Sequence, residues 1–174
     1  MTFEIHSDIT NRSMTVAARA MRKVLRRKRS IIWAIYGWSV FLFSALLLIP
    51  FDGEPFTLDV TTVTALLVEV MLLSVLLFRD RFNGMIACKN TLAGTKAYHF
   101  VFGEDSYTII TEVVTSTFHY ELIDALAESQ DYMILLMKKR FAQPLDKRTL
   151  TGGTVEEFKR FLEEKTGKTF RRVK

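Results

Sequence analysis

Glu69 is the sharpest candidate for chemistry. It is the one charged residue in the 19-residue apolar run from Val60 to Phe78, and it occupies the tenth position of that run. A carboxylate near the centre of a hydrocarbon layer is costly, and such residues often mark proton or ion routes, assembly contacts or intramembrane hydrogen bonds. In an antiparallel pair of spans the facing depth lies near Ser39 to Ser44, so either hydroxyl could bond a protonated Glu69. Two spans alone make a poor conduit, so conduction would need an oligomer. The other reactive residue types are dispersed. His6, His99 and His119 show no H-E-x-x-H or paired Cys/His spacing, and the expectation is that there is no metal site. Cys88 is the only cysteine, has no base beside it in sequence, and excludes an intrachain disulfide framework. No G-x-x-x-x-G-K or G-x-G-x-x-G segment occurs. Gly152-Gly153-Thr154 could offer backbone N–H groups to an anion at a helix start. Thr154 and Glu157, however, have capping-box spacing and compete for the same donors. With no nucleophile–base pair, the expectation is a non-enzymatic protein without catalytic residues or cofactor.

What positions these residues follows from where the charge sits. The chain has 174 residues, enough for one domain or a small domain with an appendage. Its residues are 49% hydrophobic, which excludes intrinsic disorder. The net charge of +5 is unevenly spread. Residues 1–29 carry +6, residues 52–78 carry −4, residues 79–96 carry +3, and residues 97–174 are neutral. A nucleic-acid-binding domain would concentrate its excess on the folded part. Here the excess flanks apolar runs, and nucleic acid is excluded as the expected partner.

Residues 30–51 form a 22-residue run without a charge, long enough to cross a bilayer as a helix, and residues 60–78 form the second such run. The first run is too long for a signal-peptide core, and no A-x-A-like site follows it. Residues 52–59, with Gly53 and Pro55 and no Lys or Arg, read as an external loop. The basic residues expected at the inner membrane surface are Arg19, Arg22, Lys23, Arg26, Arg27, Arg29, Arg79 and Arg81. Their side of the spans predicts both termini in the cytoplasm.

The arm, residues 1–29, reads as a short strand at Phe3 to Ser7 followed by an amphipathic helix from about Asn11. No proline separates that helix from the first span, so a continuous helix into the membrane is expected. Its basic face could fix topology, dock on anionic lipid head groups, or dock on the protein itself. Residues 79–96 read as a juxtamembrane linker broken at Asn83-Gly84 and Gly94. Residues 97–170 then read as an antiparallel meander of about five strands. The run Tyr132 to Met137 is apolar on both faces, as in a central strand, and Pro144 points to an edge. A helix from Val155 to about Lys165, stopped at Gly167, closes the meander. Lys138-Lys139-Arg140 and Lys147-Arg148 could form a head-group patch or simply solvate hairpins.

Tyr120-Glu121-Leu122-Ile123, Glu128, the strand Tyr132 to Leu136, Pro144 to Leu150, and the helix with Phe158 and Leu162 carry a resemblance. With the two spans and the basic arm before them, they resemble the bacterial YcxB-like membrane proteins. Tyr120 stands where that family usually has Trp, and two residues separate Pro144 from the basic pair Lys147-Arg148. The resemblance implies a membrane α+β protein: a two-helix transmembrane hairpin plus a small β-meander closed by a C-terminal helix, similar to a pleckstrin-homology module. It implies the bacterial cytoplasmic membrane and no particular reaction. The expected function is a membrane-anchored cytoplasmic binding or regulatory module. The alternative is a membrane-embedded regulatory subunit or immunity-type protein acting through the hairpin. The expected partners are anionic lipid head groups and either an unidentified protein or a second copy of the chain.

Overall fold

The computed structural model describes residues 2–49, 58–91, 95–137 and 141–173. The expected outer loop with Gly53 and Pro55 lies largely outside the described residues, as do Gly94 and Lys138 to Arg140. The chain begins with β1 (Phe3–Asp8) and α1 (Asn11–Ala20), a π-helical turn at Met21–Leu25, and α2 (Arg27–Leu47). Next come α3 (Val60–Lys89), β2 (Ala97–Phe102), β3 (Ser106–Ile110), β4 (Thr115–His119) and β5 (Ile123–Glu128). β6 (Tyr132–Met137), β7 (Phe141–Asp146), α4 (Val155–Thr166) and β8 (Phe170–Arg172) complete it.

Among the described residues the strands form two four-stranded sheets rather than one five-stranded meander. Sheet A has the order β1-β2-β3-β4, and sheet B the order β7-β6-β5-β8. β1 pairs antiparallel with β2, although both long apolar helices lie between them in sequence. The arm is therefore not a separate segment: Phe3 and Ile5 are buried in the main core. β8, beyond the expected end of the domain, pairs parallel with β5. β7 is an edge strand, as Pro144 requires of a residue without an N–H to donate. Ser7 Oγ links the two sheets at that edge, donating to Pro144 O at 2.7 Å and accepting from Asp146 N at 3.2 Å.

One face of each sheet builds the main core. Phe100, Phe102 and Tyr107 of sheet A meet Leu126, Met133 and Leu135 of sheet B. Phe158 and Leu162 of α4 are fully buried in the same cluster. Phe158 lies 4.8 Å from Phe102, edge to face, a geometry that suits the quadrupoles of the two rings. α4 starts at the expected capping box, with Thr154 accepting from Glu157 N, and ends at Gly167 in the left-handed region at φ 64°. The opposite face of sheet B is also buried. Ala127, Ile134 and Leu136 pack there against Ala17, Ala20 and Met21 of the N-terminal arm. That explains why every residue of β6 is buried.

Among the described residues, two helices are long and apolar enough to cross a membrane, α2 and α3. α1 does not continue straight into α2. Arg26, at φ −109° and ψ 23°, breaks the path after the π-helical turn. α3 does not stop at Phe78 but bends there, at φ −102° and ψ 19°, and runs on to Lys89. The first part of the expected linker is thus helical. Gly84, expected as a break, is instead the place where α1 crosses α3. A Cβ at residue 84 would sit 2.6 Å from Thr15 Cα, so only glycine permits this approach. Gly37 serves the same end between α2 and α3, where a Cβ would meet the Leu76 side chain at 2.6 Å.

Candidate functional site

The two helix breaks bracket a polar layer. Just beyond them, Arg79 of α3 donates a hydrogen bond to Ser30 Oγ of α2. On the sheet side of this layer α1 is wedged between α3 and sheet B. Arg22, in the π-helical turn that follows α1, grips Asp80 of α3 through two hydrogen bonds, 2.6 Å from Nε and 2.5 Å from the terminal nitrogen. Arg19 Nε lies 3.5 Å from the same carboxylate. The hydrogen bonds to Asp80 raise the Arg22 pKa above its ordinary value, with burial opposing them. The sequence places Arg19 and Arg22 at the lipid surface, but Asp80, two residues past the apolar run, binds them instead. Arg12 likewise meets Asp131, in the β5–β6 turn, at 2.5 Å. The arm therefore docks on the protein itself, with its apolar face on sheet B and its basic face on α3.

A cavity of about 1140 Å³ opens between this layer and the sheets. Arg22, Arg26, Arg29 and Arg79 line it from the helices. Tyr98, Ile109, Val114, Phe118 and Phe141 supply an apolar wall. The wall continues outward, since Val113, Val114 and Phe141 are exposed. Thr95 also lines the cavity, and its buried Oγ1 has no hydrogen-bond partner among the described residues. One large cleft thus joins a cluster of guanidinium groups to an apolar surface. Guanidinium groups are suited to bidentate contacts with phosphate oxygens.

Of the other basic candidates, Lys23, Arg27 and Arg81 are exposed. Arg81 lies over the Phe78 ring at 5.9 Å, beside the bend in α3. Lys147 and Arg148 each hold a carboxylate: Lys147 binds Glu128 at 2.6 Å and Arg148 binds Asp146 at 2.5 Å. Gly152-Gly153 offers no anion cradle. A Cβ at Gly152 would meet Thr2 O at 2.2 Å, and Glu157 Oε2 already accepts from Thr154 N at 2.8 Å.

Glu69 is buried within the hairpin. Seven residues along each helix from the Gly37–Leu76 contact, Ser44 stands at the depth of Glu69. The expected hydrogen bond is nevertheless not made. Ser44 Oγ donates to Val40 O at 2.9 Å, its own helix being the nearer acceptor. Ser39 is exposed on α2. Among the described residues, Glu69 Oε2 is left buried without a hydrogen-bond partner. His119 is exposed on β4, away from any cluster, but His6 and His99 are not apart as their positions in sequence suggest. They face each other across β1 and β2, beside Glu4.

No curated protein and no solved structure matches the chain. Residues 102–162, from the last residue of β2 to Leu162 of α4, match the family model described as YcxB-like protein.

Proposed function

We propose that the protein is a membrane-anchored, non-enzymatic binding module of the bacterial cytoplasmic membrane, and that its cleft takes the head group of an anionic lipid. The observation that carries this reading is the cleft itself: four arginines at the level of the helix breaks, facing an apolar wall. An anionic amphiphile satisfies both surfaces, its phosphate on the guanidinium groups and its upper acyl portion on Val114, Phe118 and Phe141. The orphaned Thr95 Oγ1 adds a donor for a phosphate or glycerol oxygen.

The pairing of β1 with β2 supports a hairpin with both ends on one side, because the spans lie between those strands. The basic residues flanking the spans support the cytoplasmic side. Two packed sheets followed by a helix carrying Phe158 and Leu162 into the core support a pleckstrin-homology type of fold, with that helix closing it. In this reading the hairpin is inserted between the first two strands of the module.

The test uses the full chain extracted in mild detergent, with bound lipid identified by native mass spectrometry. Phosphatidylglycerol is expected to stay bound in preference to phosphatidylethanolamine. The double variant Arg29→Gln, Arg79→Gln is expected to lose that preference. Equal retention of both lipids by the unaltered protein, or an unchanged preference in the double variant, would overturn the reading.

A second reading has its own observation. The buried, unpartnered Glu69 Oε2 favours a protein that acts through the hairpin, as a regulatory subunit or an immunity-type protein whose partner supplies the missing hydrogen bond. Crosslinking in native membranes, repeated with Glu69→Gln, separates the two. A partner lost in Glu69→Gln but kept in the double arginine variant favours the hairpin.

A further inference from the structure

We infer that Glu4, His6 and His99 form a transition-metal site on the outer face of sheet A. The sequence scatters these residues, and the strand register gathers them. In β1 the side chains of Phe3, Ile5 and Ser7 point into the protein, so Glu4 and His6 share the opposite face. His6 lies directly across from His99 in β2. The backbone of β1 at these two positions turns away from β2. Glu4 exchanges hydrogen bonds with Thr151, at 3.1 and 2.9 Å. The N–H of His6 donates to Thr149 Oγ1 at 3.2 Å, and that hydroxyl donates to His6 O at 2.5 Å. Glu4 and His6 are therefore in non-hydrogen-bonded pairs with β2, the arrangement that brings facing side chains closest.

The result is compact. The two imidazole rings stack with centroids 4.0 Å apart and planes 15° from parallel. His99 Nε2 lies 3.2 Å from Glu4 Oε2. One ligand atom from each of the three residues lies within 4.8 Å of the others. Two ligands each ~2.1 Å from a tetrahedral ion stand about 3.4 Å apart, so the His99–Glu4 pair already has the spacing a zinc ion needs. Rotation of the exposed His6 ring brings in the third ligand. Two imidazoles and a carboxylate select zinc, nickel or copper over calcium and magnesium, and they leave a coordination position for water. The strands fix all three Cα positions, so the set is held by regular backbone rather than by a loop. A bound ion would tie β1, which precedes the spans, to β2, which follows them.

The test is a zinc titration of the full, tag-free chain in detergent, followed by calorimetry and by competition with a chromophoric chelator. A single zinc ion per chain is expected, nickel is expected to compete, and calcium and magnesium are not. His6→Ala and His99→Ala are each expected to weaken zinc binding at least about tenfold. His119→Ala, on a distant exposed histidine, is expected to leave it unchanged. His6 is exposed, so its variant keeps the fold, and the metal-free melting temperature checks this. No zinc uptake by the unaltered chain, or equal zinc affinity in His6→Ala, would overturn the site and leave an ordinary Glu4–His99 pair.

Discussion

In the hairpin, Phe43 and Leu67 keep 65% and 66% of their surface exposed, whereas in the sheet region Phe158 and Leu135 keep none. The residue types are alike and the solvent is not. In the proposed membrane setting the apolar surface of α2 and α3 would face lipid, which is as apolar as leucine, so little would be gained there by packing side chain on side chain. The sheet region must remove its apolar surface from water by itself, at roughly 25 cal/mol per Å². Between the two, α1 uses a mixed strategy, with small apolar side chains on sheet B and charge on α3. Each region therefore tolerates a different kind of damage.

Matched truncations break the comparison most directly. Phe158→Ala should cost about 3–5 kcal/mol, because it opens a cavity in a closed core. Phe43→Ala should change the melting temperature in detergent hardly at all. Thermal melts of both variants, followed by near-ultraviolet circular dichroism, check this, and equal losses would erase the distinction. Next in size is Gly84→Ala at the helix crossing. The new Cβ meets backbone atoms of Thr15, which cannot turn aside, and overpacking of this kind costs about 1–3 kcal/mol. α1 should become accessible to limited proteolysis while sheet A stays protected.

Asp80→Asn sharpens the boundary between the regions. It takes the charge from the partner of Arg22, whose two hydrogen bonds to an ionised acceptor are worth about 1.5–3 kcal/mol at most, less for their partial exposure. Arg22→Lys should fall between, since an ammonium group cannot match both carboxylate oxygens. Melting temperatures of the two variants order these effects.

The smallest effect is a pH dependence confined to the sheet region. Burial would raise the pKa of Glu128, but hydrogen bonds from Lys147 and Lys159 outweigh it and hold the carboxyl below its ordinary 4.5. A carboxyl with a depressed pKa in the folded state adds stability above its unfolded pKa. That stability is lost as pH falls through the folded value. Glu128→Gln should therefore be less stable than the unaltered chain near neutral pH, by about 1 kcal/mol or less for so accessible a group. The two should converge well below pH 4.5. Melts across that range measure the convergence.

Local pattern made the strands, the capping box at Thr154 and the edge position of β7 legible in the sequence, because alternation, caps and proline act over a few residues. The apolar runs did the same for the two long helices. Contacts set by distant pairing were hidden. A basic amphipathic helix beside a span has two ways to cover its faces, lipid or protein, and composition does not choose between them. The choice lay in Asp80 and Gly84, one reading as a lone acid and the other as a helix break. Their roles appear only when α1 lies across α3. Likewise the cleft draws its walls from helix ends and strands far apart in sequence. His6 and His99 meet only because β1 seeks β2 over the whole hairpin.

That last pairing has a consequence for how the protein is made. The ribosome delivers β1 first, then both long helices, and only then the strand that β1 needs. Until then Phe3 and Ile5 have no core to enter, and β1 offers an unpaired edge. If the hairpin inserts in a membrane as proposed, the N-terminal segment waits without its sheet partner through that insertion, on the side where residue 97 emerges. A hairpin inserted the wrong way round, or an N-terminus carried across, would leave a sheet missing its first strand. Under that proposal the pairing of β1 with β2 would proofread insertion, since only chains threaded with both ends on one side could bury Phe3 and Ile5.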